Sequence, residues 1–193
     1  MFDLLFKKVQ EKISLHEKDK EVCRQLFAPK KLRKKQYLLQ QEDVCRYLAF
    51  VEKGVLRAYT VDERGAEHII QFALEGWWIA DSYSFFTGEP STYNIDALED
   101  AELLLITNPS LEVLYQKVPA FERYFRILSQ NNMIALQRRL MGSLSLSAKE
   151  KYKTLIHTYP DIVQRVPQHM IASYLGITPE TLSRTRRQIT QQG

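Results

Sequence analysis

Long hydrophobic runs are missing from this chain: no stretch of about eighteen consecutive apolar residues occurs, which excludes an apolar helix across a membrane. Near the N-terminus acids and lysines appear early, with no signal-peptide core. Cysteine is scarce. Cys23 and Cys45 are the only two; they lie far apart with no CxxC pair, and two thiols alone cannot complete a four-thiolate zinc or iron–sulfur site. Both read as reduced thiols of a cytoplasmic protein. The histidines (His16, His68, His157, His169) do not cluster, and His68, inside a β-rich run, reads as structural. No nucleophile–base pair, metal-spaced cluster or phosphate-cradling glycine loop occurs, so neither an enzyme nor a cofactor is expected.

Positive charge is missing from the middle of the chain. Between Arg64 and Lys117 there is no lysine or arginine, while nine aspartates and glutamates occur. The formal net charge of +4 is therefore unevenly placed. From Ser147 to Gly193, Lys149, Lys151, Lys153, Arg165, Arg184, Arg186 and Arg187 stand against Glu150, Asp161 and Glu180, an excess equal to the whole. A local positive field of this kind predicts a polyanionic partner.

The same C-terminal quarter holds the most informative pattern, two short helices around a tight corner. Pro167 fits the first turn of the first helix, where its missing N–H costs nothing. Met170, Ile171, Tyr174 and Leu175 then recur at helical spacing. Gly176 suits a left-handed turn, Ile177 can plug the corner, and Thr178-Pro179 reads as an N-cap followed by a first-turn proline. In the second helix Leu182 and Ile189 can pack inward, leaving Glu180, Thr181, Ser183, Arg184, Arg186 and Arg187 for other work. A carboxylate and a guanidinium one turn apart suit base edges in a DNA major groove. The competing reading is a solvated face with an i,i+4 ion pair between Glu180 and Arg184. Thr185 departs from the pattern, since such motifs usually bury an aliphatic residue there.

With 193 residues, 45% of them hydrophobic, the rest of the chain can bury a core of one or two domains. Ser14-Leu-His-Glu17 reads as a capping box before a helix ending ahead of Pro29, and the basic run Lys30, Lys31, Arg33, Lys34, Lys35 as a solvated loop. From Gln36 to Ile106 glycines fall eleven or twelve residues apart, at Gly54, Gly65, Gly76 and Gly88. The runs 47–51, 55–61, 68–74, 93–98 and 101–106 are β-rich, which predicts a sandwich or barrel-like β domain. Asp62-Glu-Arg-Gly65 is a hairpin turn. Trp77, Trp78, Tyr83, Phe85 and Phe86 either line an apolar pocket or fill the core, the second reading being favoured.

Asn108-Pro109 opens a short helix, and Pro119 a longer one reaching about Met141. Its apolar residues cover more than one stripe, which calls for two packing partners, its own β domain and a second subunit. Asn131 and Asn132 either set the register of that seam or face water. The segment 142–147 reads as a hinge. Ser147-Ala-Lys-Glu150 is a second capping box, opening a helix that stops before Pro160.

This order, and above all Val166-Pro-Gln and Ile171-Ala-Ser-Tyr-Leu-Gly-Ile-Thr-Pro-Glu-Thr-Leu-Ser-Arg184, resembles the Crp–Fnr family of bacterial transcription regulators. The glycine spacing and Glu75-Gly76-Trp77-Trp78-Ile79 resemble that family's cyclic-nucleotide-binding roll. The resemblance implies an α+β fold: a helix and β-roll sensor over residues 1–118, a dimerisation helix over 119–142, and a helix-turn-helix domain over 143–193. It implies a homodimer, paired in part through Ile127, Asn131, Ile134 and Met141, that reads a palindromic operator in double-stranded DNA and has RNA polymerase as a further partner. Glu180 and Arg184 stand where family members read bases. Thr178 and Thr181 suit phosphates, and Pro179, Ser183, Arg186 and Arg187 share the same surface.

Two departures stand out. The family usually adds a β-hairpin wing after the recognition helix, whereas Gln191-Gln-Gly193 ends this sequence, so some backbone contacts are expected to be absent. Members that bind cyclic AMP use a Gly-Glu pair and an Arg-Ser or Arg-Thr pair, where this chain has Ala80-Asp81 and Ser91-Thr92. Asp81 can still hold a ribose hydroxyl and Ser91 and Thr92 can donate, but the phosphate has lost its cation. Burying a phosphate without one is costly. The roll is therefore expected not to bind cyclic nucleotides in the usual way, but to take an unidentified effector or none. Any switch is expected to work by moving the long helices about Gly142. The alternative function is a small-molecule sensor acting through protein–protein contacts, against which the basic C-terminus argues.

Overall fold

The computed structural model describes residues 1–191; the last two residues, and with them the end of the segment compared with a wing, lie outside the described residues. Helices α1 (Asp3–Gln10) and α2 (Glu17–Leu26) precede eight short strands: β1 (Ala28–Leu32), β2 (Tyr37–Leu39), β3 (Leu48–Lys53), β4 (Leu56–Val61), β5 (Glu67–Ala73), β6 (Trp78–Ile79), β7 (Asn94–Ala97) and β8 (Ala101–Ile106). The short helix α3 (Ser82–Thr87) lies between β6 and β7. All pairings are antiparallel, in two four-stranded sheets ordered β1-β8-β3-β6 and β2-β7-β4-β5. Between the sheets, Ala49, Val51, Leu56, Ala58, Ile95, Ala97, Leu103 and Leu105 form a dry core that α1, α2 and the helices after β8 extend. The alternation of each strand sends every second side chain to this core.

Gly54, between β3 and β4, has φ +93°, and a Cβ there would lie 2.7 Å from the Asp100 carbonyl oxygen. Only glycine permits that approach. The turn at 62–65 forms as expected: Gly65 N–H donates to Asp62 O at 2.9 Å, and the Asp62 carboxylate accepts from the Arg64 and Ala66 amides. His68 is structural, its Nε2 lying 2.9 Å from Asp62 Oδ2.

Several local expectations are corrected. Helix α2 starts later than Ser14, at His16, whose amide donates to Asp19 Oδ2 at 2.9 Å. The basic run is not all loop, because Lys30 and Lys31 sit in β1 opposite Leu103 and Glu102. As an edge strand β1 keeps its lysines in water, and Lys31 Nζ meets Glu102 Oε1 at 3.0 Å. Helix α1 and strands β2 and β6 carry too few periodic residues to announce themselves.

After β8 the chain is helical: α4 (Asn108–Lys117), α5 (Ala120–Ser145), α6 (Ala148–Thr158), α7 (Pro160–Arg165), α8 (Gln168–Leu175) and α9 (Pro179–Thr190). Helix α5 runs through the expected hinge: Gly142 is buried inside it, and the helix ends at Ser145. The connection to α6 is only Leu146 and Ser147, and Ser147 forms the expected capping box with Glu150. Pro167 is the N-cap of α8 and not its first residue.

Sheet β2-β7-β4-β5 has a second apolar face. Val55, Tyr59, Ile69, Phe72 and Leu74 pack with Tyr152, Leu155, Ile162, Val166, Ile171, Ala172 and Leu182. The C-terminal helices thus sit on the outside of the roll.

Candidate nucleic-acid interface

Helices α8 and α9 are joined as the residues demand. Gly176 takes φ +65°, and Ile177 N–H donates to Ala172 O at 3.0 Å. Thr178 caps α9, its hydroxyl accepting from Thr181 N–H at 3.2 Å, with Pro179 in the first turn. Leu182 and Thr185 are the buried residues of α9, so the threonine that breaks the aliphatic pattern does take the inward position.

Pro179, Glu180, Ser183, Arg184, Arg186 and Arg187 are exposed on one helix, and Thr181 is half-buried beside its cap. Among the described residues no ion pair joins Glu180 to Arg184, which removes the internal-pair reading. The Glu180 carboxyl is held below its ordinary value by its own backbone amide and by the Thr178 hydroxyl. A charged, preset carboxylate therefore stands at the start of the helix, and exposed guanidinium groups follow it, that of Arg187 donating to the Ser183 hydroxyl at 3.5 Å. A groove of about 500 Å³ runs between the start of α8 and the later turns of α9, lined by Gln168, Ser183, Arg186 and Arg187 among others.

The effector positions come together but consume one another. Asp81 is 3% exposed and caps α3, accepting from Ser84 N–H at 3.2 Å. Ser91, also buried, donates to Asp81 Oδ2 at 2.7 Å. The Ala80 carbonyl accepts from the Tyr93 hydroxyl at 3.0 Å, and Thr92 is exposed. None of the four lines the cleft of about 370 Å³ found between β2 and residues 43–47. The aromatic residues do not converge either. Trp78 packs in the core against Phe50 and Phe125, Trp77 meets Tyr159, Phe85 is buried, and Tyr83 and Phe86 face solvent.

The one cation set into this sheet points the other way. Arg57 of β4 lies on the outer face beneath α8, held by Asp96 at 2.8 and 3.0 Å and by Glu67, with its guanidinium 3.9 Å from the Tyr59 ring centre. Burial opposes its charge, but the hydrogen bonds it donates to Asp96 and Glu67 outweigh that and keep its pKa above the ordinary arginine value.

Of the pairing candidates, Ile127 is half-buried, while Asn131, Ile134 and Met141 are exposed on α5. All of residues 131–140 are exposed, although Arg139 still reaches the roll at Ile70. Wide apolar exposure also falls on residues not assigned to pairing: Met133, Leu136, Leu140 and Leu144, the last 81% exposed. At 3.6 residues per turn, Met133, Leu140 and Leu144 centre a single stripe, with Ile134 and Met141 beside it and Asn131 almost on the far side of the helix.

The C-terminal helices are also tied to the roll by residues that pattern reasoning passed over. Arg165 of α7 forks onto Glu75, at 2.7 and 2.9 Å, and onto Glu99, at 3.1 and 2.6 Å. Ser173 of α8 accepts from Ile69 N–H and donates to Glu67 O, both at 2.9 Å. Arg139 of α5 stacks on Tyr174, 4.4 Å from the ring centre, and donates to Ile70 O. Their only signal in the sequence is charge, and charge does not say which acid a given arginine meets.

Residues 29–118 match the family described as the cyclic nucleotide-binding domain. With that domain followed by a long helix and a docked helix-turn-helix unit, the chain resembles regulators of the Crp–Fnr type, in fold most clearly. It is 25% identical over 175 residues to the regulatory protein HlyX of Actinobacillus pleuropneumoniae, covering 85% of this chain and 72% of that one. Over 183 residues it is 26% identical to the fumarate and nitrate reduction regulatory protein of Vibrio cholerae, covering 89% and 72%. The fold superimposes on FixK2 from Bradyrhizobium japonicum with a TM-score of 0.72 at 21% identity, covering 86% of both chains. Among the described residues no helix is long and apolar enough to cross a membrane.

Proposed function

We propose that this chain is a sequence-specific, DNA-binding transcriptional regulator that acts as a homodimer. The observation that carries the reading is α9 itself: a capped helix whose Glu180 and Arg184 are exposed, one turn apart and not paired with each other. A major groove is the partner whose edges match such a helix, arginine taking guanine and glutamate accepting from cytosine. Thr178, Pro179, Thr181, Ser183, Arg186 and Arg187 fill out the surface toward the phosphates. The stripe on α5 supplies the two-fold pairing that a palindrome requires, and RNA polymerase is the further partner of a regulator bound there. The regulatory names of its relatives agree with this reading.

Selection from a randomised duplex pool tests it. The expected product is a palindrome, bound with a steep decrease in affinity as salt rises, because several phosphates are neutralised on association. A monomer that ignores every duplex in the pool would end the proposal.

The roll is proposed not to take a cyclic nucleotide in the usual manner. The Asp81 carboxylate and Ser91 hydroxyl satisfy each other, and the buried cation Arg57 is spent on the opposite face of the sheet. A buried phosphate would have no counter-charge. Titration calorimetry with cyclic AMP is expected to show no heat of binding in the micromolar range, and a micromolar isotherm would refute the assignment.

A further inference from the structure

The unit α6–α9 is joined to α5 in sequence by Leu146 and the cap Ser147. So short a tether limits how far the unit can travel, but it leaves the angle of the unit free. Contacts with the roll set that angle. Strand β5 lies at the edge of its sheet, and its outward amide at Ile69 and carbonyl at Glu67 are both taken by one hydroxyl, that of Ser173. A strand edge left open needs such a cover. Arg165 bridges Glu75, on the β5–β6 connection, and Glu99, on the β7–β8 connection, as a two-sided fork. Phe72 against Tyr174 (5.3 Å between ring centres) and Trp77 against Tyr159 (5.1 Å) close the apolar part of the seam.

This docking leaves both working surfaces open. The Glu180–Arg187 face of α9 is exposed, and Arg139, the α5 residue that meets α8, lies about 120° around the helix from the Met133–Leu140–Leu144 stripe. One protomer can therefore hold its own helix-turn-helix unit against its roll while α5 pairs with a second copy. In such a dimer the separation of the two recognition helices is a rigid-body consequence of the seam, and half-site spacing follows from that separation.

We propose that Arg165 and Ser173 are spacing-determining residues: they set which distance between operator half-sites the dimer accepts, without touching DNA. The inference rests on the DNA-reading proposal above. It places specificity for spacing in an intrachain seam far from the base-reading side chains.

The test compares wild type with Arg165→Gln combined with Ser173→Ala, and with Glu75→Gln combined with Glu99→Gln, which leaves every group of the helix-turn-helix unit in place. Affinities are measured for a single half-site, for the selected palindrome, and for palindromes with spacers changed by about two base pairs. Half-site affinity is expected to stay the same, showing that each variant is folded and reads bases. The preference for the selected spacing is expected to drop from about tenfold or more to about threefold or less, since a loosely held pair binds with a lower effective concentration but tolerates more geometries. An unchanged spacing profile with intact half-site binding overturns the proposal.

A second readout works without DNA. A spin label at Gln188→Cys, with the buried Cys23 and Cys45 replaced by alanine, reports the distance between recognition helices in the dimer. A narrow distribution in wild type that broadens in both variants supports the clamp, and one equally narrow in all three refutes it. If no protein binds any duplex, the regulator reading fails while this distance still decides the clamp.

Discussion

Arg184 and Arg165 are chemically identical and do different work because of what surrounds them. Arg184 has no carboxylate partner among the described residues and faces solvent, whereas Arg165 has two, half-buried between the roll and α7. Hydrogen bonds donated to Glu75, then to Glu99, hold the Arg165 charge more firmly than in a free arginine. Removal of the first should be felt on DNA and removal of the second within the protein. Arg184→Ala is expected to lose about 1–3 kcal/mol on the selected operator and to relax the choice of one base in each half-site. Lys153→Ala, from an exposed position on α6, is expected to weaken all sequences equally if it acts at all. Competition binding against single-base operator variants measures both. Equal losses on specific and random duplexes for Arg184→Ala would remove it from base reading. Cys23 shows the same dependence on surroundings, since burial pushes its thiol up to about 12 and makes it a poor nucleophile or ligand near neutral pH.

At the scale of elements, α5 is the clearest case of a helix built for two neighbours. Its first turns bury Phe121 and Tyr124 against the roll, and its later turns hold Leu136, Leu140, Met141 and Leu144 in water in the isolated chain. An exposed apolar stripe of this length is the kind of surface a partner covers, and in the proposed dimer one helix continuing from core to interface would join the two rigidly. Leu140→Asp combined with Leu144→Asp is expected to give a monomer with an unchanged helix content. Sedimentation equilibrium beside circular dichroism checks this, and a dimer that survives both substitutions would move the interface elsewhere. The two-faced character of α5 was legible in its apolar spacing, as were the capping boxes, the turn at 62–65 and the corner at Gly176. Which face of α5 its own domain takes was not legible, because that is known only once Arg139 is seen on Tyr174. Strand β1 was unreadable for a related reason. Lysines disfavour a strand on average, but at a sheet edge their side chains never leave water.

For the whole molecule the seam between roll and helix-turn-helix unit is the feature with a pH signature. Partial burial opposes the charge of Glu75, but hydrogen bonds from Arg165, from its own backbone and from Gly54 outweigh it and hold its carboxyl below the ordinary 4.5. A carboxyl with a depressed pKa stabilises the docked form fully above its ordinary value, and that contribution is lost as pH falls through the depressed one. Docking is therefore expected to persist from neutral pH to below 4.5 and to loosen only under more acid conditions. The fluorescence of Trp77, packed on Tyr159 across the seam, follows this when compared with Trp77→Phe, and a transition centred above 4.5 would contradict the assignment.

Residue order alone determined the succession of a β domain, a long helix and a helix-turn-helix unit, because glycine spacing, capping side chains and apolar periodicity act over a few neighbours. It also determined that the middle of the chain lacks a cation for a phosphate. Which way Arg57 points, that Ser91 spends itself on Asp81, and that Arg165 reaches across to Glu75 and Glu99 were decided only by the tertiary structure. Each of those pairs joins residues ten to ninety apart in the chain, and an electrostatic partner is chosen by proximity in space, to which local pattern is blind.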